Sequence, residues 1–228
     1  RLGDYSSSET DFSIVQANLY HGNEDVGEAI TKLMEIGPDI ISIQELNSQW
    51  ENNILDLKKM YPYFVDEPHK SCCYGIALYS KLPIMHSEIV LLQGVPVIIA
   101  RIDVDGLVVT ISSLHTLPPV FPNKSTERNA QLTAMAELMS EVNGPSVVIG
   151  DFNVVSWDRH LQTFLSVSSL SRLECGSQPT YPMDIGVPLI PIDHITYSSH
   201  LLPTECGSFT IPGSDHKGIS ASFNLNEH

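Results

Sequence analysis

Eight polar residues stand at the ends of apolar strands: Asn18, Glu45, His115, Asp151, Asn153, Asp193 and the adjacent pair Asp215 and His216. Open α/β folds place their sites at strand ends, and a chance scatter of charge would not favour these positions so consistently. Glu45 closes the run Ile40-Ile41-Ser42-Ile43-Gln44, which delivers a carboxylate where a hard cation such as magnesium finds oxygen ligands. Asn18 ends the preceding strand and offers an amide oxygen beside it. Read singly, Glu45 is also a surface carboxylate and Asn18 a turn or capping amide. The run Val147-Val148-Ile149-Gly150-Asp151-Phe152-Asn153 is more specific, because an acid and an amide two residues apart emerge on one side of a strand. There an aspartate takes a proton from water while the asparagine holds that water or a phosphoryl oxygen; a strand-ending Asx turn is the plainer alternative.

Two Asp-His pairs follow near the C-terminus, Asp193-His194 and Asp215-His216. A carboxylate that braces an imidazole keeps its proton and orientation, so the ring can donate to a developing phosphorane oxygen. His194 points away from Asp193 if the segment is a strand, and is expected in the core. His115, before the rigid Leu117-Pro118-Pro119, is a second histidine for a phosphate.

The elements that position these residues are legible in part. Residues 1–11 are a polar lead-in. Phe12 to Leu19 reads as a strand, and Asn23 as the cap of a helix with Val26, Ala29, Ile30, Leu33 and Ile36 at helical spacing. Gly37-Pro38 stops that helix, and the buried strand ending at Gln44 completes a β-α-β unit. A second helix is expected over Ser48 to Lys59. Tyr74 to Tyr79, Glu88 to Leu92, Val97 to Val104 and Leu107 to Ser113 read as strands, with Asp105-Gly106 as a hairpin turn that implies antiparallel pairing. Ser125 to Val142 reads as a helix, followed again by a Gly-Pro stop and the strand Ser146 to Ile149. The last third is expected to be loop-rich, with short strands at Ile192 to Tyr197 and Ile219 to Phe223. One α/β domain over residues 12–228, with two related halves packed face to face, is the economical reading.

Composition bounds the partners. With 27 acidic against 12 basic residues in 228, the net charge of −15 repels a phosphate backbone and argues against sequence-independent nucleic-acid binding through a basic face. It leaves a nuclease open, because a bound cation can neutralise the scissile phosphate. No run of 18 apolar residues is present. The chain begins at Arg1 and not at methionine, so processing or trimming is expected, which leaves an upstream signal peptide or anchor open. No obligate protein partner is evident. Of the four cysteines, Cys72 and Cys73 are adjacent, while Cys175 and Cys206 each precede a glycine and flank one segment; a disulfide between the latter two and a pair of ordinary thiols stand as equal readings.

Taken in order, Gln16-Ala17-Asn18, Ile43-Gln44-Glu45, Gly150-Asp151-Phe152-Asn153 and Ser214-Asp215-His216 resemble the endonuclease/exonuclease/phosphatase superfamily across nearly the whole chain. The resemblance implies a four-layer α/β sandwich, two mixed β-sheets face to face with helices outside, and a site at one end between them. It implies that Glu45 is the principal Mg2+ ligand, with Mn2+ as substitute, that Asn18 lies beside it, and that Asp215 completes the metal and water environment. It assigns Asp151 to water activation, Asn153 to orientation of the nucleophile or phosphate, His216 braced by Asp193 to the transition state, and His115 to the second catalytic histidine. The stretches 115–119, 178–182 and 191–194 are similar to poorly characterised bacterial members, some membrane-anchored, which places the domain outside the cytoplasm. Arg128 and Gln131 fit a family habit, with helix packing as the expected role. The implied activity is hydrolysis of a phosphodiester, DNA or RNA among the candidates. Its rivals are a phosphomonoesterase or phospholipid-headgroup hydrolase, for which Val120-Phe121 is an apolar hint, and an inactive binding module on the same fold.

Overall fold

The structure, a computed structural model, describes residues 10–70, 73–119, 123–174, 179–183 and 187–226. Most of the polar lead-in, together with Cys72, Val120-Phe121, Cys175 and Gln178, lies outside the described residues.

Alternation along the strands sets the architecture. In β1 (Phe12–Asn18), Phe12 and Ile14 enter one apolar cluster while Val15 and Ala17 enter another. Both faces of the strand are therefore buried, and the two clusters are two different layers of core. β1 is followed by α1 (Val26–Ile36) and then β2 (Ile40–Gln44), which runs parallel to β1. Val26, Ala29, Ile30 and Leu33 on α1 pack on Val15, Ala17, Ile41 and Ile43. Gly37 ends the helix at φ 63°, a conformation that glycine adopts without strain. The helix opens at Asp25 instead of Asn23, whose side chain ties the incoming loop to Leu19 and Pro212.

The second sheet repeats the device. β7 (Leu107–His115) leads through α3 (Lys124–Ser140) to β8 (Ser146–Asp151), again parallel. Before it, β5 (Ile84–Leu92) and β6 (Val95–Val104) make the expected antiparallel run, and Asp105 and Gly106 both take positive φ in the hairpin turn. The first sheet is completed by β3 (Tyr63–Glu67), β4 (Ile76–Ser80), β11 (Leu201–Thr210) and β12 (Lys217–Leu225), in the order β11-β12-β1-β2-β4-β3. The second takes in β9 (Ser171–Arg172) and β10 (Asp193–Tyr197), in the order β5-β6-β7-β8-β10-β9.

Phe12, Ile14, Ile40 and Phe223 of one sheet meet Ile98, Ile111, Ile149 and Ile195 of the other. α1 and α2 (Glu51–Met60) cover the outside of the first sheet; α3 and α4 (Arg159–Ser168) cover the second. The result is the four-layer α/β sandwich. The last third departs from the loop-rich expectation, because it holds α4 and the ten-residue strand β11.

Candidate active site

The site residues share a parity. Asn18 follows Ile14 and Gln16 on the β1 face that looks into the space between the sheets. His115 continues Val109 and Ile111 on β7, Asp151 continues Val147 and Ile149 on β8, and Asp193 precedes Ile195 on β10. β10 runs antiparallel to β8 and pairs Asp193 with Asp151, so a strand start and a strand end meet. β12 runs antiparallel to β1, which brings His216, just before it, to the same end.

Glu45 comes one residue past β2, where the alternation would turn it away. Its positive φ of 62° reverses the chain there. Gly150 has a related role: its φ is 150°, and a Cβ at that position would lie 1.8 Å from the Leu114 carbonyl oxygen. Only glycine lets β8 approach β7 closely enough to set Asp151 beside His115.

The Asn18 amide nitrogen sits among three groups, 3.2 Å from Glu45 Oε1, 3.2 Å from Asp151 Oδ2 and 3.5 Å from His216 Nε2. Its oxygen accepts from the Tyr20 backbone N–H, which fixes the direction of the amide. Asn18 thus presents donors to the site instead of the oxygen ligand expected from the sequence, and it joins the two carboxylates. Asp151 Oδ2 lies 3.7 Å from His115 Nε2 and 3.8 Å from His216 Nε2, and its Oδ1 accepts from the Asn153 backbone N–H. The Asn153 side-chain nitrogen donates to the Thr116 carbonyl and not into the site, so this residue holds Asp151 in place. His216 Nδ1 lies 2.9 Å from Asp193 Oδ2, which is the expected brace, and Asp215 Oδ1 lies 4.0 Å from His216 Nε2.

Burial tunes these groups. The Asp151 carboxyl is pushed up to about 8, first by removal from water and then by the Asp193 charge. Burial alone would lower His216, but Asp193, Asp151 and Asp215 outweigh it and take the imidazole up to about 10. Burial holds His115 below the usual histidine range despite the pull of Glu45. Glu45 is held low against its own burial by the neighbouring His115 and by hydrogen bonds from His21 and Asn18. His194 meets the core expectation: it is pushed down to about 4 by burial, lies within 2.8 Å of the Val154 carbonyl through Nε2, and packs against Phe152.

Several residues were missed in the sequence. His21 covers Glu45 Oε2 with both its backbone N–H and its ring. Gln16 Nε2 donates to Asp193 Oδ1 and to Gln44 Oε1, and Gln44 joins Ser42 and Ser113 in a buried polar plug between the sheets. The usable signal was parity, since Gln16, Ser42, Gln44 and Ser113 occupy core-facing positions of otherwise apolar strands. Tyr181 stacks obliquely over His216 at 4.8 Å. Arg128 reaches past its expected packing role to donate to the Asn153 carbonyl, while Gln131 bridges Leu117 and Leu92 as a packing residue should.

These groups line a cleft of about 350 Å³ whose other walls include Pro118, Pro119, Val154, Val155, Ile190 and Ile192. Arg128 is the only Lys or Arg among the described residues that line it. Glu45, Asp151, Asp193 and Asp215 therefore converge with little cationic compensation beyond His216, which a bound divalent cation would supply. Ligand atoms of Asp151, Asp193 and His216 lie within 4.8 Å of one another, a buried group with the composition of a metal site.

The sequence model of the endonuclease/exonuclease/phosphatase family matches residues 15–216. The chain belongs to that family. Membership makes it a phosphoesterase of a metal-dependent class. Solved structures share the fold: an endonuclease/exonuclease/phosphatase protein from Beutenbergia cavernae has a TM-score of 0.78 at 18% identity, covering 96% of this chain and 72% of its own. A Bacteroides vulgatus member has a TM-score of 0.76 at 17% identity, covering 95% of this chain and 100% of its own. TDP2 of D. rerio, solved in complex with a single-strand DNA product, has a TM-score of 0.74 at 18% identity, covering 94% of this chain and 99% of its own. No curated protein matches the sequence. No helix among the described residues is long and apolar enough to cross a membrane.

Proposed function

We propose that the chain is a divalent-metal-dependent phosphodiesterase in which Asp151 accepts the proton of an attacking water. The observation that carries this reading is the meeting of Asp151 with Asn18, His115 and His216 within 3.2–3.8 Å at the buried end of the cleft. Burial and the Asp193 charge raise the Asp151 carboxyl above the ordinary aspartate range, which makes its ionised form a stronger base than an ordinary aspartate. His216, kept protonated by Asp193, donates from Nε2 to the phosphoryl oxygens as charge builds on them, and His115 adds a donor from the facing wall. Asn18 holds Glu45 and Asp151 at a fixed separation.

Glu45, with Asp215 on the same cleft, would hold the cation. We assign it to magnesium, with manganese as substitute, because the available donors are carboxylate oxygens. His216 is a poor ligand, since a protonated imidazole has no free lone pair. A bound cation would polarise the phosphate and offset its charge. Cys206 is disulfide-bonded, which supports placement outside the reducing cytoplasm.

Hydrolysis of bis(4-nitrophenyl) phosphate tests the reading. Turnover is expected with magnesium or manganese, to vanish with chelator, and to fall about a hundredfold or more in Glu45→Gln. A preparation of unchanged circular dichroism with no turnover under any metal would remove the proposal. Preference for 4-nitrophenyl phosphate would move the assignment to a monoesterase.

A further inference from the structure

The two oxygens of Glu45 meet unlike surroundings. Oε1 is on the reacting side, because the Asn18 amide nitrogen that donates to it at 3.2 Å also donates to Asp151 Oδ2. Oε2 accepts twice from His21, from the backbone N–H at 2.9 Å and from ring Nδ1 at 3.0 Å. A carboxylate only accepts, so Nδ1 carries the proton of that contact. A carboxylate offers about four lone-pair sites in all. His21 engages both of those on Oε2 and Asn18 one on Oε1, which leaves a single site on Oε1 for a ligand.

The loop that carries His21 is held at several points. The Tyr20 N–H donates to Asn18 Oδ1, and Tyr20 takes a positive φ of 60°. The His21 carbonyl accepts from Asn47 Nδ2 at 3.1 Å, and Asn47 Oδ1 accepts in turn from the Gln49 N–H. The Tyr20 ring meets the imidazole edge to face at 5.5 Å. Backbone and ring of His21 therefore have separate supports, although the side chain is about half exposed.

We infer that His21 is a positioning residue that keeps Glu45 a one-oxygen ligand and so sets a preference for magnesium or manganese over calcium. The inference rests on the reading of Glu45 as the cation ligand. Magnesium demands a compact, near-octahedral shell and keeps several waters in it, so one carboxylate oxygen suffices. Calcium takes about six to eight oxygens in a looser shell and readily uses both oxygens of one carboxylate. With Oε2 engaged by His21, that second oxygen is withheld. Removal of the ring returns a lone pair to Oε2, a gain that calcium can use and magnesium does not need.

The test is Mn2+ binding to the full chain, read from loss of the free-ion EPR signal, with displacement by Mg2+ and by Ca2+. The ratio of the two displacement constants is the readout, since a general weakening of the site leaves it unchanged. Wild type should favour Mg2+. His21→Ala, which keeps the backbone N–H, should move the ratio toward Ca2+ about tenfold or more, the size of one hydrogen bond to a charged group. His21→Asn places a side-chain NH2 near the position of Nδ1 and should stay within about threefold of wild type. A wild type that binds Ca2+ as tightly as Mg2+ overturns the inference without recourse to any variant. A wild-type ratio in His21→Ala, or a ratio in His21→Asn shifted as far as that of His21→Ala, overturns it as well. If Glu45→Gln abolishes Mn2+ binding in those cases, the assignment of the cation to Glu45 survives. Mn2+ binding that is unchanged in Glu45→Gln overturns that assignment and the inference together.

Discussion

Replacing Asp193 with asparagine separates the charge of the His216 brace from its shape. In the native site Asp193 Oδ1 accepts from Gln16 Nε2 at 2.7 Å, while Oδ2 lies 2.9 Å from His216 Nδ1. An asparagine keeps its oxygen on Gln16, which turns its NH2 toward Nδ1 and forces that nitrogen to become an acceptor. The imidazole then carries its one proton on Nε2, still facing Asp151 and the substrate, but as a neutral donor. A hydrogen bond to a charged group contributes about 1.5–3 kcal/mol, so turnover at pH 7 should drop about ten- to hundredfold. The pH profile carries the sharper signature. Wild-type His216 stays protonated up to about 10, with Asp193 first among the groups that raise it, so the variant's alkaline limb should move toward neutrality. Relative to wild type at the same pH, the deficit should shrink from pH 8 towards pH 6, where the variant's imidazole is protonated again. The assay is kcat against pH on bis(4-nitrophenyl) phosphate with saturating metal. A kcat within twofold of wild type with an unmoved alkaline limb would refute the reasoning.

Gly150→Ala places a methyl group 1.8 Å from the Leu114 carbonyl oxygen, so β7 and β8 must separate; loss of more than about 3 kcal/mol of stability is expected in thermal or urea unfolding, and a wild-type Tm would contradict it. His194 is held near 4 when folded and titrates near 6.5 when unfolded, so its contribution is present above 6.5 and lost as pH falls through 4. The difference amounts to about 3 kcal/mol, and His194→Gln should flatten that part of the stability curve. Cys206→Ser removes a disulfide and should cost about 2–4 kcal/mol in non-reducing buffer, with no change in wild-type-like turnover at 25 °C.

Much of this arrangement was legible because the apolar strands are regular. The two Gly-Pro stops after α1 and α3 marked both parallel crossovers, and period-2 counting from Ile195 separates catalytic-facing Asp193 from core-facing His194. What escaped is what tertiary pairing decides. β11 carries Pro203 and Gly207 and reads as loop, yet it forms because an edge strand tolerates proline and the pairing with β12 slips between Pro203 and Glu205. β3 is likewise an exposed edge strand with little apolar alternation, and α4 spans ten residues whose clearest signal was its capping aspartate, Asp158, which accepts from the His160 N–H. The orientation of the Asn18 and Asn153 amides was hidden in the same way. Each amide has a donor end and an acceptor end, and only the Tyr20 N–H and the Thr116 carbonyl decide which end faces the site.

The measurement that bears most directly on the central claim is steady-state hydrolysis of bis(4-nitrophenyl) phosphate by wild type and Asp151→Asn at saturating magnesium, on preparations matched by circular dichroism. An asparagine preserves the hydrogen bond to the Asn153 N–H but cannot accept the water's proton, so kcat should fall by about two orders of magnitude or more with little change in KM. Equal rates would show that Asp151 does not activate the water and would contradict the mechanism built on it.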